Sequence, residues 1–67
     1  MTVARVTEII SGSTNSIEDA VNEGVARASQ TLKNVQSAWV KDIKTVITDG
    51  KVTEWRTTLA VTFLLED

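Results

Sequence analysis

The C-terminal part of the chain carries apolar side chains on both faces of a predicted strand pair, and this feature constrains the fold most. Residues 52–66 alternate between apolar and polar side chains as a strand does. One face carries Trp55, Leu59, Val61, Phe63 and Leu65. The other face, together with the hairpin partner, carries Trp39, Ile43, Ala60 and Leu64. Because one short helix covers only one face, we expect the chain to associate with other subunits and any binding site to lie between chains.

The chain has 67 residues, near the size at which a single hydrophobic core is marginal and oligomerisation is a common remedy. We expect a single domain over residues 1–67. The net charge of −2, with both signs interspersed, gives no basic surface for nucleic acid. No apolar run approaches the roughly 20 residues of a membrane helix, and no signal-peptide pattern opens the chain. The sequence therefore predicts no nucleic-acid or membrane partner and a cytoplasmic location.

The chain has no Cys and no His, which removes several kinds of chemistry. Without Cys there is no disulfide, thiolate nucleophile or zinc–thiolate site. Without His the commonest general base and the commonest transition-metal ligand are missing. Catalysis would depend on carboxylates, Lys, Arg and hydroxyl groups, and no nucleophile–base pair stands out among them. We therefore expect that the protein is not an enzyme.

The predicted order of elements is β-α-β-β. The first strand covers residues 3–10 and ends in turn formers over residues 11–16. Ser13 or Ser16 is the predicted helix N-cap, and the helix runs to about Asn34. Its apolar stripe recurs with a period near 3.6 residues: Ile17, Ala20, Val21, Gly24, Val25, Ala28, Leu32 and Val35. Because the stripe is rich in small residues, we expect the helix to lie close against the sheet.

Two long strands follow, over residues 36–48 and 51–66, and Asp49-Gly50 joins them as a two-residue hairpin turn. Without a bulge this turn places Thr48 opposite Lys51 and fixes every other pair. The pairs predicted to face the helix are Val40 with Leu59, Ala38 with Val61, and Gln36 with Phe63. The pairs on the other face are Trp39 with Ala60, Lys41 with Thr58, Ile43 with Arg56, and Ser37 with Thr62. That second face would be an exposed apolar patch in a monomer, typical of an interface or a ligand site.

The sequence resembles the dodecin family over essentially its whole length. The resemblance is carried by the β-α-β-β order, the hairpin and three short segments, residues 8–13, 26–32 and 61–66. It implies an α+β fold in which a three-stranded antiparallel sheet wraps around one helix. It further implies a hollow homo-oligomer of twelve subunits, which in many members binds flavins in pairs between subunits.

The flavin-binding dodecins place a stacking Trp early in the second strand and usually a Gln in the third. By ungapped comparison these positions fall on Ser37 and Arg56, so both depart from the family pattern. Trp39 lies two residues further along the same face, about 7 Å away, and is the candidate replacement. The resemblance implies storage of FMN or riboflavin, with Trp39 stacking on the ring and Arg56 contacting the ring edge or phosphate. Ser37 would line the pocket.

Two other functions remain open. The first is a dodecin that binds calcium or coenzyme A instead of flavin, as the loss of the stacking Trp suggests. Arg56, Arg5 and Lys41 would then contact phosphate, and Asp42, repeated by symmetry, would bind the cation. The second is a purely structural oligomer in which Trp39 anchors an interface and no small molecule binds.

Overall fold

The computed structural model describes residues 2–66 and contains three strands and one helix. The elements in chain order are β1 (Ala4–Ser13), α1 (Ile17–Thr31), β2 (Val35–Thr48) and β3 (Lys51–Leu64). The strands form one antiparallel sheet in the order β1-β3-β2, so the last strand of the chain is the central one. This confirms the predicted α+β fold, with a three-stranded antiparallel sheet packed on one helix.

The helix begins where the sequence provides a cap. Ser16 is the N-cap, and its hydroxyl accepts a hydrogen bond from the Asp19 N–H at 3.0 Å. Glu18 and Asp19 lie in the first turn, at the positive end of the helix dipole. The other candidate, Ser13, fixes the preceding loop, because its hydroxyl accepts from the Asn15 N–H at 2.9 Å and donates to the Asp19 carboxylate at 2.6 Å.

The helix ends at Thr31, so the prediction that it continues to Asn34 is wrong. Leu32 has an extended backbone, and its N–H still bonds the Ala28 carbonyl at 2.9 Å. Asn34 adopts a positive φ of 61°, a conformation that Asn tolerates better than most residues. The chain therefore leaves the helix early and enters β2 at Val35. Among residues 2–66, no helix has the length and apolar character needed to span a membrane.

The core lies between the small-residue stripe of the helix and the central strand. Ala20, Gly24 and Ala28 are buried on α1, and Leu59 and Val61 are fully buried on β3. A Cβ placed on Gly24 would lie 2.8 Å from the Leu59 Cδ1 atom. The predicted close approach of helix and sheet is therefore confirmed, and it depends on the absence of a side chain at this position.

The first strand is longer than its sequence suggests. It continues past Ile10 through Ser11 and Gly12 to Ser13, residues that the sequence assigns to a turn. These three residues pair with residues 57–55 of β3. Strand β3 is long enough to offer them partners, so ladder hydrogen bonds outweigh their low intrinsic strand preference.

The predicted hairpin is confirmed, because Asp49 (φ 53°) and Gly50 (φ 76°) both adopt positive φ and Thr48 opposes Lys51. Four predicted pairs further along the hairpin are also confirmed: Val40 with Leu59, Ala38 with Val61, Trp39 with Ala60, and Ser37 with Thr62. Cross-strand partners share a face of the sheet, so Trp39 lies on the face opposite to the core residues Leu59 and Val61.

Three predicted pairs are wrong, because bulges interrupt the ladder. Thr53 is an extra residue on β3, and its hydroxyl bonds the Val46 carbonyl at 3.2 Å. Lys41 is an extra residue on β2 and restores the register that Thr53 shifts. Gln36 is a second extra residue on β2. Neither Lys41 nor Gln36 therefore takes its predicted partner.

Between the bulges at Thr53 and Lys41, every partner differs by one residue from the prediction. The observed pairs are Asp42 with Thr58, Ile43 with Thr57, and Lys44 with Arg56. Ile43 therefore shares the face of the buried Thr57, not the face of Trp39, and Lys44 replaces it opposite Arg56.

Candidate functional site

The candidate site lies on the sheet face turned away from α1, called here the outer face. Three side chains form a row across it, with Ala60 on the central strand between Glu8 on β1 and Trp39 on β2. Alternation along the strands adds neighbouring rows, so the outer face also carries Val6, Ile10, Ser37, Asp42, Lys44, Glu54, Arg56, Thr58 and Thr62. This register brings together four of the predicted site residues: Ser37, Trp39, Asp42 and Arg56.

Trp39 presents a broad apolar surface on the outer face. Trp39 is 65% exposed, whereas the neighbouring Ala60 is 6% exposed. Val6 and Ile10 on β1 are also largely exposed, at 60% and 74%. A large indole next to a small methyl group leaves a flat surface on which a planar ring can stack. An apolar surface of this kind marks an interface or a ligand site.

Lys41 reaches the outer face from its bulge. Its ammonium nitrogen lies 2.8 Å from the Glu8 Oε2 atom, on the far side of the central strand. The same nitrogen lies 5.6 Å from the centroid of the Trp39 ring, within range of a cation–π interaction. The predicted site residue Lys41 is therefore next to Trp39, and its ammonium group is already paired with the Glu8 carboxylate.

Arg56 is separated from Trp39 within one chain. It opposes Lys44 and Gly12, four residues along β3 from Ala60, which corresponds to about 13 Å. Its Nε donates to the Glu54 Oε2 atom at 2.7 Å, and this hydrogen bond together with the carboxylate charge raises the pKa of Arg56. Arg56 therefore stays charged, and it meets a ring stacked on Trp39 only if that ring extends along the strand or another subunit provides the arginine.

Asp42 lines a small hollow of about 140 Å³ on the outer face. The other lining residues are Ile10, Lys44, Arg56, Thr57 and Thr58. Sequence reasoning did not identify Lys44 and Thr58 as site residues, because the bulge that places them beside Asp42 leaves no signal in the alternation pattern. In residues 2–66, no group of three acidic side chains is arranged to hold a metal ion.

Two other residues predicted to contact a ligand, Ser37 and Arg5, lie on opposite faces of the sheet. Ser37 is exposed, opposes Thr62 and lies on the outer face with Trp39. Arg5 opposes Phe63, whose other partner, Val35, packs against the core. Arg5 therefore lies on the helix side of the sheet, away from Lys41 and Arg56.

A larger cavity of about 600 Å³ lies between β1 and α1. Its lining includes Ile9, Ser11, Arg27 and Thr31, and none of the predicted site residues. The outer face remains the better candidate site. It combines the exposed indole of Trp39 with several ionised side chains in nearby rows of the same face.

The chain is similar to known dodecins in sequence and in structure. A sequence model of the dodecin family matches residues 3–66. The dodecin of Streptomyces coelicolor is 36% identical, with a TM-score of 0.93 over 98% of this chain and 94% of that chain. An arginine-to-alanine variant of the Thermus thermophilus dodecin is 31% identical, with a TM-score of 0.94 over the full length of both chains.

A third solved structure is the calcium dodecin of Mycobacterium tuberculosis, a calcium-chelating immunodominant antigen with a novel calcium-binding site. It is 31% identical to this chain, with a TM-score of 0.82 over 96% of this chain and 91% of that chain. A comparison with curated protein sequences gave no significant match.

Proposed function

The chain belongs to the dodecin family, a family of small binding proteins, and we propose that it sequesters flavin, as FMN or riboflavin, between the subunits of a dodecameric shell. The observation that carries the proposal is the exposed indole of Trp39 beside Ala60 on the outer face. The isoalloxazine ring of a flavin is planar and aromatic. Stacking of such a ring on an aromatic side chain contributes about 1–3 kcal/mol.

The proposed contacts divide between the ring and its substituents. Trp39 stacks on the ring in place of the tryptophan that other flavin-binding dodecins have at the position of Ser37. Ser37 lines the pocket two residues away on the same face. The Lys41 ammonium lies over one face of the indole, 5.6 Å from the ring centroid, and is positioned to meet polar atoms of a ligand stacked beside it. Because Arg56 is about 13 Å from the Trp39 row, we assign its contact with the ligand to a neighbouring subunit.

The proposed assembly accounts for the apolar surface of a small chain. Besides Trp39, the exposed large apolar side chains include Val6, Ile10, Ile43, Ile47 and Val52. Burial between subunits removes this surface from water, which stabilises association in proportion to the apolar area covered. The number of twelve subunits is carried over from the family.

The proposed mechanism is non-covalent sequestration. A flavin stacked on Trp39 loses its fluorescence and is shielded from solvent, so the shell limits the concentration of free, photoreactive ligand. This mechanism needs no nucleophile and no general base, and we propose no enzymatic step.

The test is a titration of ligand-stripped protein with riboflavin and FMN in the dark, followed by flavin fluorescence. We expect saturable quenching at micromolar or tighter affinity, lost in Trp39→Ala. Trp55→Phe is the matched control, because Trp55 opposes Thr45 on the helix side of the sheet and should not contact the ligand. An unchanged titration in Trp39→Ala would contradict the proposal.

A second candidate is the binding of calcium, as the similarity to the calcium dodecin suggests. One Asp42 carboxylate falls short of the six to eight oxygen ligands that Ca²⁺ takes, so neighbouring subunits would have to contribute the others. Thermal stabilisation by calcium that is lost in Asp42→Asn, with no response to flavin, would favour this function. Stabilisation by coenzyme A that is lost in Lys41→Gln or Arg56→Gln would favour nucleotide binding instead.

A further inference from the structure

On the outer face, the formal positive charges around the candidate site are equal in number to the negative ones. The cations around the Trp39 row and the small hollow are Lys41, Lys44 and Arg56, and the carboxylates there are Glu8, Asp42 and Glu54. The numbers are equal, so this surface has no formal excess of positive charge. An anionic ligand gains little from the field of such a surface.

Two of the three cations are already bound by carboxylates. Lys41 lies 2.8 Å from Glu8, and Arg56 lies 2.7 Å from Glu54. Lys44 lies opposite Arg56 and lines the same hollow as Asp42. Each cation that could meet a ligand on this face therefore has a carboxylate as its partner or as its neighbour.

A phosphate group would have to compete with these carboxylates. A phosphate monoester carries a charge of about −1.5 to −2 at neutral pH. If it displaced Glu8 from Lys41, the freed carboxylate would stay near the phosphate and repel it. Riboflavin has the same ring and ribityl chain without the phosphate, so it stacks on Trp39 and leaves both ion pairs intact. Repulsion of one ligand by fixed charges is a common source of specificity.

We infer that this site prefers uncharged riboflavin to phosphorylated FMN, and that Glu8 and Glu54 are the residues that set the preference. The inference rests on the proposed flavin-binding function and names the ligand class of the same site. The two carboxylates act by neutralising Lys41 and Arg56, so their removal should release both cations for a phosphate.

The experiment measures dissociation constants of riboflavin and FMN by fluorescence quenching, for the wild type and for the Glu8→Gln/Glu54→Gln variant. We expect the wild type to bind riboflavin at least about threefold more tightly than FMN, as one screened charge interaction allows. In the double variant FMN should bind about three- to tenfold more tightly than in the wild type, and riboflavin should change less than about twofold. The gain for FMN should shrink in high salt, because exposed charges are screened.

Glu18→Gln is the matched control, because it removes one carboxylate from the first turn of α1, on the other side of the sheet. It should leave the FMN-to-riboflavin ratio unchanged. Both single variants, Glu8→Gln and Glu54→Gln, are measured as well, so that the assignment is tested even if the double variant fails to assemble. Size-exclusion chromatography and circular dichroism establish that each variant retains the wild-type fold and assembly.

Three results would overturn the inference, and they are distinguishable. Equal or tighter binding of FMN by the wild type would refute the preference while leaving flavin binding intact. An FMN affinity that does not rise in any of the Glu8 and Glu54 variants would refute the role of these residues. Quenching of neither flavin would refute the proposed function and the preference together.

Discussion

Lys41 and Glu8 form an ion pair across the central strand, with 2.8 Å between the ammonium nitrogen and a carboxylate oxygen. The pair links the two edge strands, and Ala60 of β3 lies beneath it, in register with Glu8. Neither residue is buried, since 35% of the Lys41 side chain and 55% of the Glu8 side chain are exposed. Its role is therefore to position charge beside Trp39 more than to stabilise the fold.

The first prediction concerns the strength of this pair. A double-mutant cycle of Glu8→Gln and Lys41→Gln should give a coupling energy of about 0.2–1 kcal/mol, the range for exposed ion pairs. The measurement is urea unfolding at a fixed subunit concentration, because association contributes to apparent stability. The coupling should fall as sodium chloride is raised. A coupling well above this range that resists salt would mean that assembly buries the pair.

The second prediction compares two serines at the start of the helix. Ser16→Ala should lower the free energy of unfolding by about 1 kcal/mol, because it removes the N-cap hydrogen bond to the Asp19 N–H. Ser13→Ala should cost about 1–2 kcal/mol, because Ser13 is buried and its hydroxyl accepts from the Asn15 N–H and donates to the Asp19 carboxylate. The exposed Thr14→Ala is the control and should stay within about 0.5 kcal/mol of the wild type. A smaller loss for Ser13→Ala than for Ser16→Ala would contradict this ranking.

The third prediction tests the close approach of helix and sheet at Gly24. In Gly24→Ala the new methyl group would lie 2.8 Å from the Leu59 Cδ1 atom and 2.9 Å from the Ser11 Cβ atom. Ser11 can give way only if the backbone of β1 moves, and Leu59 is fully buried. The expected loss is about 1–3 kcal/mol, despite a gain of up to about 1 kcal/mol in helix propensity.

The exposed position Asn22 provides the matched control for Gly24. Asn22→Ala should leave stability equal or slightly higher, because Ala has the better helix propensity and the side chain is exposed. Thermal unfolding followed by circular dichroism measures both variants. A Gly24→Ala variant as stable as Asn22→Ala would show that the helix can move away from the sheet without cost.

The sequence predicts the parts of this fold that depend on residues adjacent in the chain. The Asp49-Gly50 turn and the Ser16 cap are local consequences of turn chemistry and capping, whereas the predicted pairing of Trp39 with Ala60 holds because the bulges at Thr53 and Lys41 cancel. The candidate site also depends on the bulges and on the strand order. Alternation carries no mark of an extra, unpaired residue, so the bulges at Thr53 and Lys41 and the pairs between them could not be predicted.

The contact between Glu8 and Lys41 could not be predicted either. The two residues are 33 positions apart and meet only because β3 inserts between β1 and β2. No sequence pattern relates the charge of Glu8 to that of Lys41. The indole of Trp39 could be assigned to the outer face from alternation, but the ionised residues around it depend on the strand order and on the bulges.

The last prediction tests the bulge at Lys41 directly. Deletion of Lys41 should preserve the fold, because the pairs on either side of it, Val40 with Leu59 and Asp42 with Thr58, become continuous. Deletion of Val40 shortens β2 by the same length, but then Lys41 takes the place opposite Leu59 and turns toward the core. Unfolding followed by circular dichroism at equal subunit concentration should show lower stability for the Val40 deletion, by about 1 kcal/mol, since a charged side chain replaces the 36% exposed Val40 opposite the fully buried Leu59. Equal stability of the two deletions would mean that Lys41 is not the extra residue, and the register that places Asp42, Lys44 and Arg56 around one hollow would then be wrong.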